Sequence, residues 1–94
     1  MQTDFMRTLD GLAISTFVDI GKHIEKNGDA SAEIYYKRAV RAAETIYGPF
    51  HGEVGLVLIR LASYYRRHDR LEEANEIEDR ISEILAIYKE DQEN

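Results

Sequence analysis

The sequence contains no cysteine, only one proline (Pro49) and six glycines in 94 residues. Without cysteine the chain can form no disulfide, thiolate zinc site, iron–sulfur cluster or cysteine nucleophile. No apolar run approaches the roughly 18 residues that a membrane-spanning helix needs. The first ten residues also lack the apolar segment of a signal peptide. We therefore expect a globular, cytoplasmic protein that does not associate with membranes.

The net charge of −6 comes from one part of the chain. Residues 1–69 hold nine Lys/Arg and nine Asp/Glu, whereas residues 70–94 hold three Lys/Arg and nine Asp/Glu. An acidic chain is repelled by nucleic acids and anionic membranes, so neither is expected as a partner. The run Tyr64–His68 mixes aromatic and basic residues, as RNA-binding surfaces do, but its positive charge is small beside the acidic surplus.

Apolar residues recur at helical spacing in four segments, which predicts an all-α fold. Gly28-Asp29 separates the first two segments, with Asp29 as the expected N-cap of the second, and Gly48-Pro49 ends the second. The third is apolar on more than one face, so it should be central and contact both neighbours. The fourth has an acidic face opposite an apolar stripe: Leu71, Ala74, Ile77, Ile81, Ile84, Leu85 and Tyr88. The segments run from about 9 or 11 to 27, 30 to 47, 52 to 68 and 71 to 89.

The two halves of the chain repeat each other. Ile20-Gly21 corresponds to Leu61-Ala62 at an offset of 41 residues, and Ala32 corresponds to Ala74 at an offset of 42. A small residue late in one helix, facing a small residue early in the next, lets the two helices approach closely. Such a period predicts two helix-turn-helix hairpins, which are four antiparallel helices in a short α-solenoid.

This pattern resembles the tetratricopeptide repeat (TPR), in particular the 42-residue form of kinesin light chains. The resemblance implies a single domain over 1–94, with repeat one at about 12–48, repeat two at about 52–89 and a frayed acidic tail at 90–94. Ile24 stands where the family usually has tyrosine. Glu78 of the last helix stands where the family has an aromatic residue, which argues against continuation of the stack past residue 90. The resemblance is carried by AEIYYKRAV (32–40), YGPFH (47–51), LASYYRR (61–67) and RLEEA (70–74).

In this family the first helix of each repeat lines a concave groove, which implies a set of partner-binding residues here. Apolar Leu56 and Ile59 beside Arg60 and Arg67 would act as an anchor with charge steering. Alternatively, Leu56 and Ile59 are buried by the first helix or by a second copy of the chain. The full predicted set is Val18, Lys22, Lys26, Leu56, Ile59, Arg60, Ser63, Arg66 and Arg67.

The function expected is that of a protein–protein interaction module, an adaptor or regulator that binds a peptide or partner protein in this groove. The alternative is a structural unit that forms homo-oligomers, with a homodimer expected, through its open repeat edge or its apolar third helix. Two repeats form little core, and about three are usually needed. No enzyme is expected, because no nucleophile, base and stabiliser come together. His23, His51 and His68 lack metal-ligand spacing, so no metal or other cofactor is expected; His51 matches a loop residue that orders the turn.

Overall fold

A computed structural model describes the backbone of residues 4–93 and the side chains of residues 11–90. The chain forms four α-helices, α1 (Asp4–Lys26), α2 (Ala32–Tyr47), α3 (Gly52–Arg67) and α4 (Leu71–Glu93). Residues 4–93 contain no strand, and the predicted all-α fold is confirmed. Helix α1 begins earlier, and α4 ends later, than the periodicity indicated. The fraying expected of residues 90–94 stays a prediction, with Asn94 outside the described residues.

Each helix packs against the next one along the chain, so the fold is two antiparallel hairpins placed side by side. Helix α3 contacts both α2 and α4, which confirms its predicted central position. The molecule measures 42 × 32 × 15 Å. It is therefore a thin slab in which one hairpin covers only one side of the other.

Small residues set the spacing between the helices of each hairpin. Ala32, Ala39 and Ala74 are fully buried, and Gly21 lies directly against the ring of Tyr36. A Cβ atom on Gly21 would be 2.9 Å from Tyr36 Cε1. The sequence suggested that Gly21 faces Ala32, whereas the ring of Tyr36 provides the nearest side-chain atoms. The core cluster is Ala32, Tyr36, Ala39, Val40, Ala43, Val54, Val57, Leu58, Leu61, Tyr64, Tyr65, Ala74 and Ile84.

The turns between helices use side chains that satisfy backbone N–H groups. Helix α2 begins at Ala32, two residues later than expected, because Asp29 does not cap it directly. Instead Asp29 Oδ1 accepts a hydrogen bond from the Ser31 N–H at 2.9 Å within the turn. His51 is the N-cap of α3, and its Nδ1 accepts from the Glu53 N–H at 3.1 Å. Gly48, with φ +90°, takes a backbone conformation that other residues rarely adopt.

The apolar stripe predicted for α4 is only partly buried. Ala74 and Ile84 are buried, whereas Leu71, Leu85 and Tyr88 are exposed. Helix α3 covers one side of α4, and within residues 11–90 no other helix covers the side where Leu85 lies. A stripe wider than one contacting helix therefore leaves apolar side chains in solvent.

Candidate functional site

The concave surface between α1 and α3 contains two adjoining hollows, which together we call the groove. The larger hollow has a volume of about 470 Å³ and the smaller about 240 Å³. They share Lys22 and Arg60, so they form one continuous depression. The larger is lined by Lys22, Glu25, Lys26, Tyr36, Ile59, Arg60, Ser63 and Arg67, and the smaller by Ser15, Val18, Asp19, Lys22, Leu56, Val57 and Arg60.

Eight of the nine residues predicted to bind a partner line this groove, and Arg66 does not. The Arg66 Nε atom donates to Glu78 Oε2 at 2.6 Å, and its Nη2 atom donates to Asn75 Oδ1 at 3.2 Å. Both acceptors belong to α4. Adjacent residues of a helix are about 100° apart around its axis, so Arg66 and Arg67 face opposite neighbours of α3.

Glu25 holds the two repeats together across the groove. Its carboxylate accepts two hydrogen bonds of 2.7 Å from Arg67, one from Nε and one from Nη2. The hydroxyl of Tyr36 donates to the same carboxylate at 2.9 Å, and His68 Nε2 lies 3.3 Å away. Arg67 therefore connects α3 to α1, and its main donors are already occupied.

These contacts shift the pKa values of the groups involved. The hydrogen bonds from Arg67 lower the pKa of Glu25 below its usual value, with further lowering by Tyr36 and opposition from burial. Burial, with the hydrogen bond to Glu25, raises the pKa of Tyr36 to about 12. Arg67 is likewise held in its charged form by Glu25, which raises its pKa. The Glu25–Arg67 pair is thus ionised at neutral pH, and the Tyr36 hydroxyl keeps the proton that it donates.

Three other cations of the groove are available to a ligand. Among the side chains of residues 11–90, no carboxylate lies within 4.0 Å of Lys22, Lys26 or Arg60. The larger hollow thus carries four cations, counting Arg67, and a single carboxylate. The groove is basic although the chain as a whole is acidic.

A second polar cluster joins the repeats behind the groove, on the side of α2. Glu33 accepts hydrogen bonds from Arg70, from the Tyr65 hydroxyl at 2.9 Å and from Lys37 at 3.0 Å. The contact with Arg70 is the main reason that the pKa of Glu33 falls to about 2. The guanidinium of Arg70 also lies 4.7 Å from the centre of the Tyr65 ring. This cluster fixes the packing between repeats and does not face the groove.

An apolar strip lies on the free side of the second hairpin, and we call it the open edge. The backbone N–H of Gly52 donates to the Tyr88 hydroxyl at 2.9 Å, and a Cβ atom on Gly52 would lie 2.7 Å from that oxygen. The sequence predicted an open repeat edge as a surface for self-association, but it did not indicate that Leu85 and Tyr88 of α4 remain exposed there. The open edge consists of Gly52, Gly55, Leu56, Ile59, Ile81, Ile84, Leu85 and Tyr88.

Leu56 and Ile59 belong to both surfaces, since they line the groove on one side and the open edge on the other. They are 60% and 48% exposed, so α1 does not bury them. This excludes the first of the two burial alternatives. Leu85, 62% exposed, belongs to the open edge alone.

The part of the chain whose structure is described holds no group of three or more His, Cys, Asp or Glu side chains arranged to bind a metal ion. None of its helices combines the length and the apolar character needed to cross a membrane. The concave groove and the open edge are the two surfaces that we consider as binding sites.

The repeat geometry agrees with a comparison against known families. A family model described as tetratricopeptide repeat matches residues 12–87. The chain belongs to the tetratricopeptide repeat family. Proteins of this family are helical scaffolds without catalytic machinery of their own, and their repeats generally mediate protein–protein interactions. No curated protein and no solved structure matches the chain. The likeness to the 42-residue repeats of kinesin light chains stays a prediction.

Proposed function

We propose that this TPR protein binds an acidic segment of a partner protein in the groove between α1 and α3. The observation that supports the proposal is the convergence of Lys22, Lys26 and Arg60 on one hollow. Carboxylates of a bound segment would pair with these three cations, and an apolar side chain would contact Ile59. The remaining groove residues that were predicted to bind, Val18, Leu56 and Ser63, would contribute shape and apolar contact.

The role of Arg67 differs from that of the other cations. Its two hydrogen bonds to Glu25 hold α3 against α1, so a ligand carboxylate would have to compete with Glu25 for it. We assign Arg67 to the support of the groove and assign charge recognition to Lys22, Lys26 and Arg60. Surface cations of this kind raise association rates and specificity more than final affinity, and their effect weakens with salt.

As part of the same proposal, the protein acts as an adaptor or regulator in the cytoplasm. It would need no cofactor and catalyse no reaction, and its acidic net charge disfavours nucleic acid as a ligand. The basic groove of an acidic molecule favours ligands that present a short negative stretch next to an apolar residue.

Fluorescence anisotropy with labelled peptides that combine Asp or Glu with Leu tests the groove. Lys22→Glu/Lys26→Glu should weaken binding by roughly tenfold or more through like-charge repulsion, and added salt should weaken wild-type binding. Arg38→Glu/Arg41→Glu is the matched control, because it reverses two exposed charges on the opposite face of the first hairpin. Equal affinity of both double variants for the same peptides would contradict the proposal.

The second candidate function is self-association to a homodimer, and the open edge is the observation that favours it. Exposed apolar residues that form a continuous surface, rather than single scattered side chains, mark interaction sites in soluble proteins. Sedimentation equilibrium tests this candidate directly. We expect twice the monomer mass at micromolar concentration, whereas a monomeric mass at high micromolar concentration would refute it.

A further inference from the structure

The side of the first hairpin that the second hairpin covers shows which residues this fold uses at a contact between repeats. Helix α3 packs on one side of the first hairpin, and the same positions in the second hairpin form the open edge. Offsets of 41 residues for the first helix and 42 for the second relate the two sets. Val18, which packs against the core, corresponds in this way to Ile59 of the open edge.

The polar positions of the two edges carry opposite charges. In repeat one, Glu25 accepts hydrogen bonds from Tyr36 in its own hairpin and from Arg67 in the next repeat. The corresponding residues of repeat two are Arg66 and Glu78, which pair with each other inside the hairpin. In repeat one a carboxylate, Glu25, binds Arg67 of the next repeat. At the equivalent position of repeat two there is a cation, Arg66, which is already paired with Glu78.

This replacement disfavours head-to-tail stacking of copies. A second copy that continued the stack would place its Lys26, the equivalent of Arg67, against Arg66. It would also place Thr16 and His23 where α3 buries Val57 and Tyr64. Like charges and polar groups at these positions would cost stability, so the open edge is poorly matched to the first helix of another copy.

The open edge of one copy is complementary in charge and apolar surface to the open edge of a second copy. We propose that the open edges of two copies pack on each other around a two-fold axis that runs between α3 and α4 and parallel to them. This rotation brings Arg66 of one copy opposite Glu78 of the other. It also places the apolar half of one edge, around Leu85 and Ile59, on the apolar half of the other. The arrangement rests on the self-association proposed above and specifies its geometry.

The symmetric arrangement accounts for features that a free monomer leaves unexplained. The second hairpin, which the first hairpin covers on one side only, gains a second covered side. The apolar surface continues beyond the edge through Tyr88 to a hollow next to Phe50 and Ile87. A two-fold contact is closed, so it produces dimers and no filaments.

Analytical ultracentrifugation of edge variants tests the geometry. Leu85→Glu, at an exposed position outside the groove, should give a monomeric mass with unchanged helical circular dichroism. Thr16→Glu is the matched control, because it places the same charge on the opposite edge, and it should remain a dimer. A dimeric Leu85→Glu protein, or a monomeric Thr16→Glu protein, would overturn the symmetric arrangement while leaving self-association itself intact.

A charge exchange adds a second, independent measurement. Arg66→Glu should weaken the dimer at least tenfold, since it sets a carboxylate opposite Glu78 of the second copy. Arg66→Glu/Glu78→Arg should restore it, because both pairings reappear with exchanged signs. An exchanged variant that assembles beyond a dimer would instead support head-to-tail stacking, since Glu at position 66 attracts Lys26. A monomeric wild-type protein at high micromolar concentration would refute both the geometry and self-association.

The two proposed surfaces can be separated in the same set of proteins. Lys22→Glu/Lys26→Glu should keep the dimer and lose the peptide, whereas Leu85→Glu should lose the dimer and keep the peptide. Leu56 and Ile59 line both surfaces, so loss of both properties in either variant would contradict the assignment of peptide binding to the cations and of the dimer contact to Leu85.

Discussion

Arg67 on α3 donates two hydrogen bonds of 2.7 Å to the carboxylate of Glu25 on α1, which lies 42 residues earlier in the sequence. Paired donors in one plane make this a directional polar contact between the repeats. The Tyr36 hydroxyl donates to the same carboxylate, which ties the contact to the core. The floor of the groove is therefore an interface between repeats, and its residues contribute to the stability of the fold.

Glu25→Gln should lower the free energy of unfolding by about 1 kcal/mol, because a neutral amide cannot form the charged pair with Arg67 and the pair is partly exposed. Urea unfolding at pH 7 measures the change. Glu83→Gln, on the exposed face of α4, should stay within about 0.5 kcal/mol of wild type. All proteins must be compared at one concentration, since self-association adds to apparent stability. An equal effect of both substitutions would show that Arg67 contributes nothing through Glu25.

Glu33 should make the fold sensitive to acid. Its pKa falls from an ordinary 4.5 to about 2 in the folded protein, chiefly through Arg70. The unfolded chain therefore binds more protons between these two values, and the stabilisation is present above pH 4.5 and is lost as the pH falls towards 2. Solvent screening of the partly exposed partners limits this contribution to about 1–2 kcal/mol.

Urea unfolding of wild type and Glu33→Gln at pH 7, 5, 3 and 2 measures that contribution. The difference in free energy of unfolding should be constant from pH 7 to 5, shrink at pH 3 and approach zero at pH 2. Glu76→Gln, at an exposed position of α4, should follow the wild-type profile throughout. Parallel profiles of wild type and Glu33→Gln down to pH 2 would contradict the assigned role.

The helices and their pairing follow from the sequence because periodicity reports which residues share a face. Val54, Leu58, Leu61, Ala62 and Tyr65 recur at helical spacing along α3, and all five are buried. The repeat predicted two helical hairpins, which the structure contains, because equivalent residues meet equivalent neighbours in a solenoid. These features are local or repeat at fixed spacing, so they can be predicted from a single sequence.

Features that depend on a helix outside the hairpin could not be predicted from periodicity. Periodicity places Leu85 on the apolar face of α4 but cannot say whether a further helix covers it. The pairing of Glu25 with Arg67 joins different repeats, and the spacing within either helix does not indicate it. Arg66 was placed in the groove with Arg67 because the family resemblance implies that the first helix of each repeat lines it. The carboxylate that decides its position, Glu78, belongs to another helix.

His51 should contribute to stability by starting α3. Its Nδ1 accepts from the Glu53 N–H, and its ring stacks on Tyr47 with the ring centres 4.8 Å apart. His51→Ala removes both contacts and should cost about 1 kcal/mol, the usual value of an N-cap. His51→Asn keeps a capping acceptor and should recover most of this loss. Urea unfolding compares the three proteins, and equal losses in both variants would assign the effect to stacking alone.

Gly21 should be the least replaceable small residue between α1 and α2. A Cβ atom there would lie 2.9 Å from the Tyr36 ring, and that ring is buried and held by its hydrogen bond to Glu25. Gly21→Ala should therefore destabilise the protein by about 1–3 kcal/mol through overpacking. Gly11→Ala, in the same helix with no atom within 4 Å, should stabilise it by about 0.5–1 kcal/mol.

The two alanine variants separate helix propensity from packing, because propensity alone favours both substitutions equally. Opposite signs in urea unfolding would show that Tyr36 limits the distance between α1 and α2. A smaller side chain in place of the ring, in Gly21→Ala/Tyr36→Leu, should lessen the additional cost of the alanine relative to Tyr36→Leu alone. Equal changes at positions 11 and 21 would mean that the ring moves freely, and the groove that it lines would then be less rigid than its hydrogen bonds indicate.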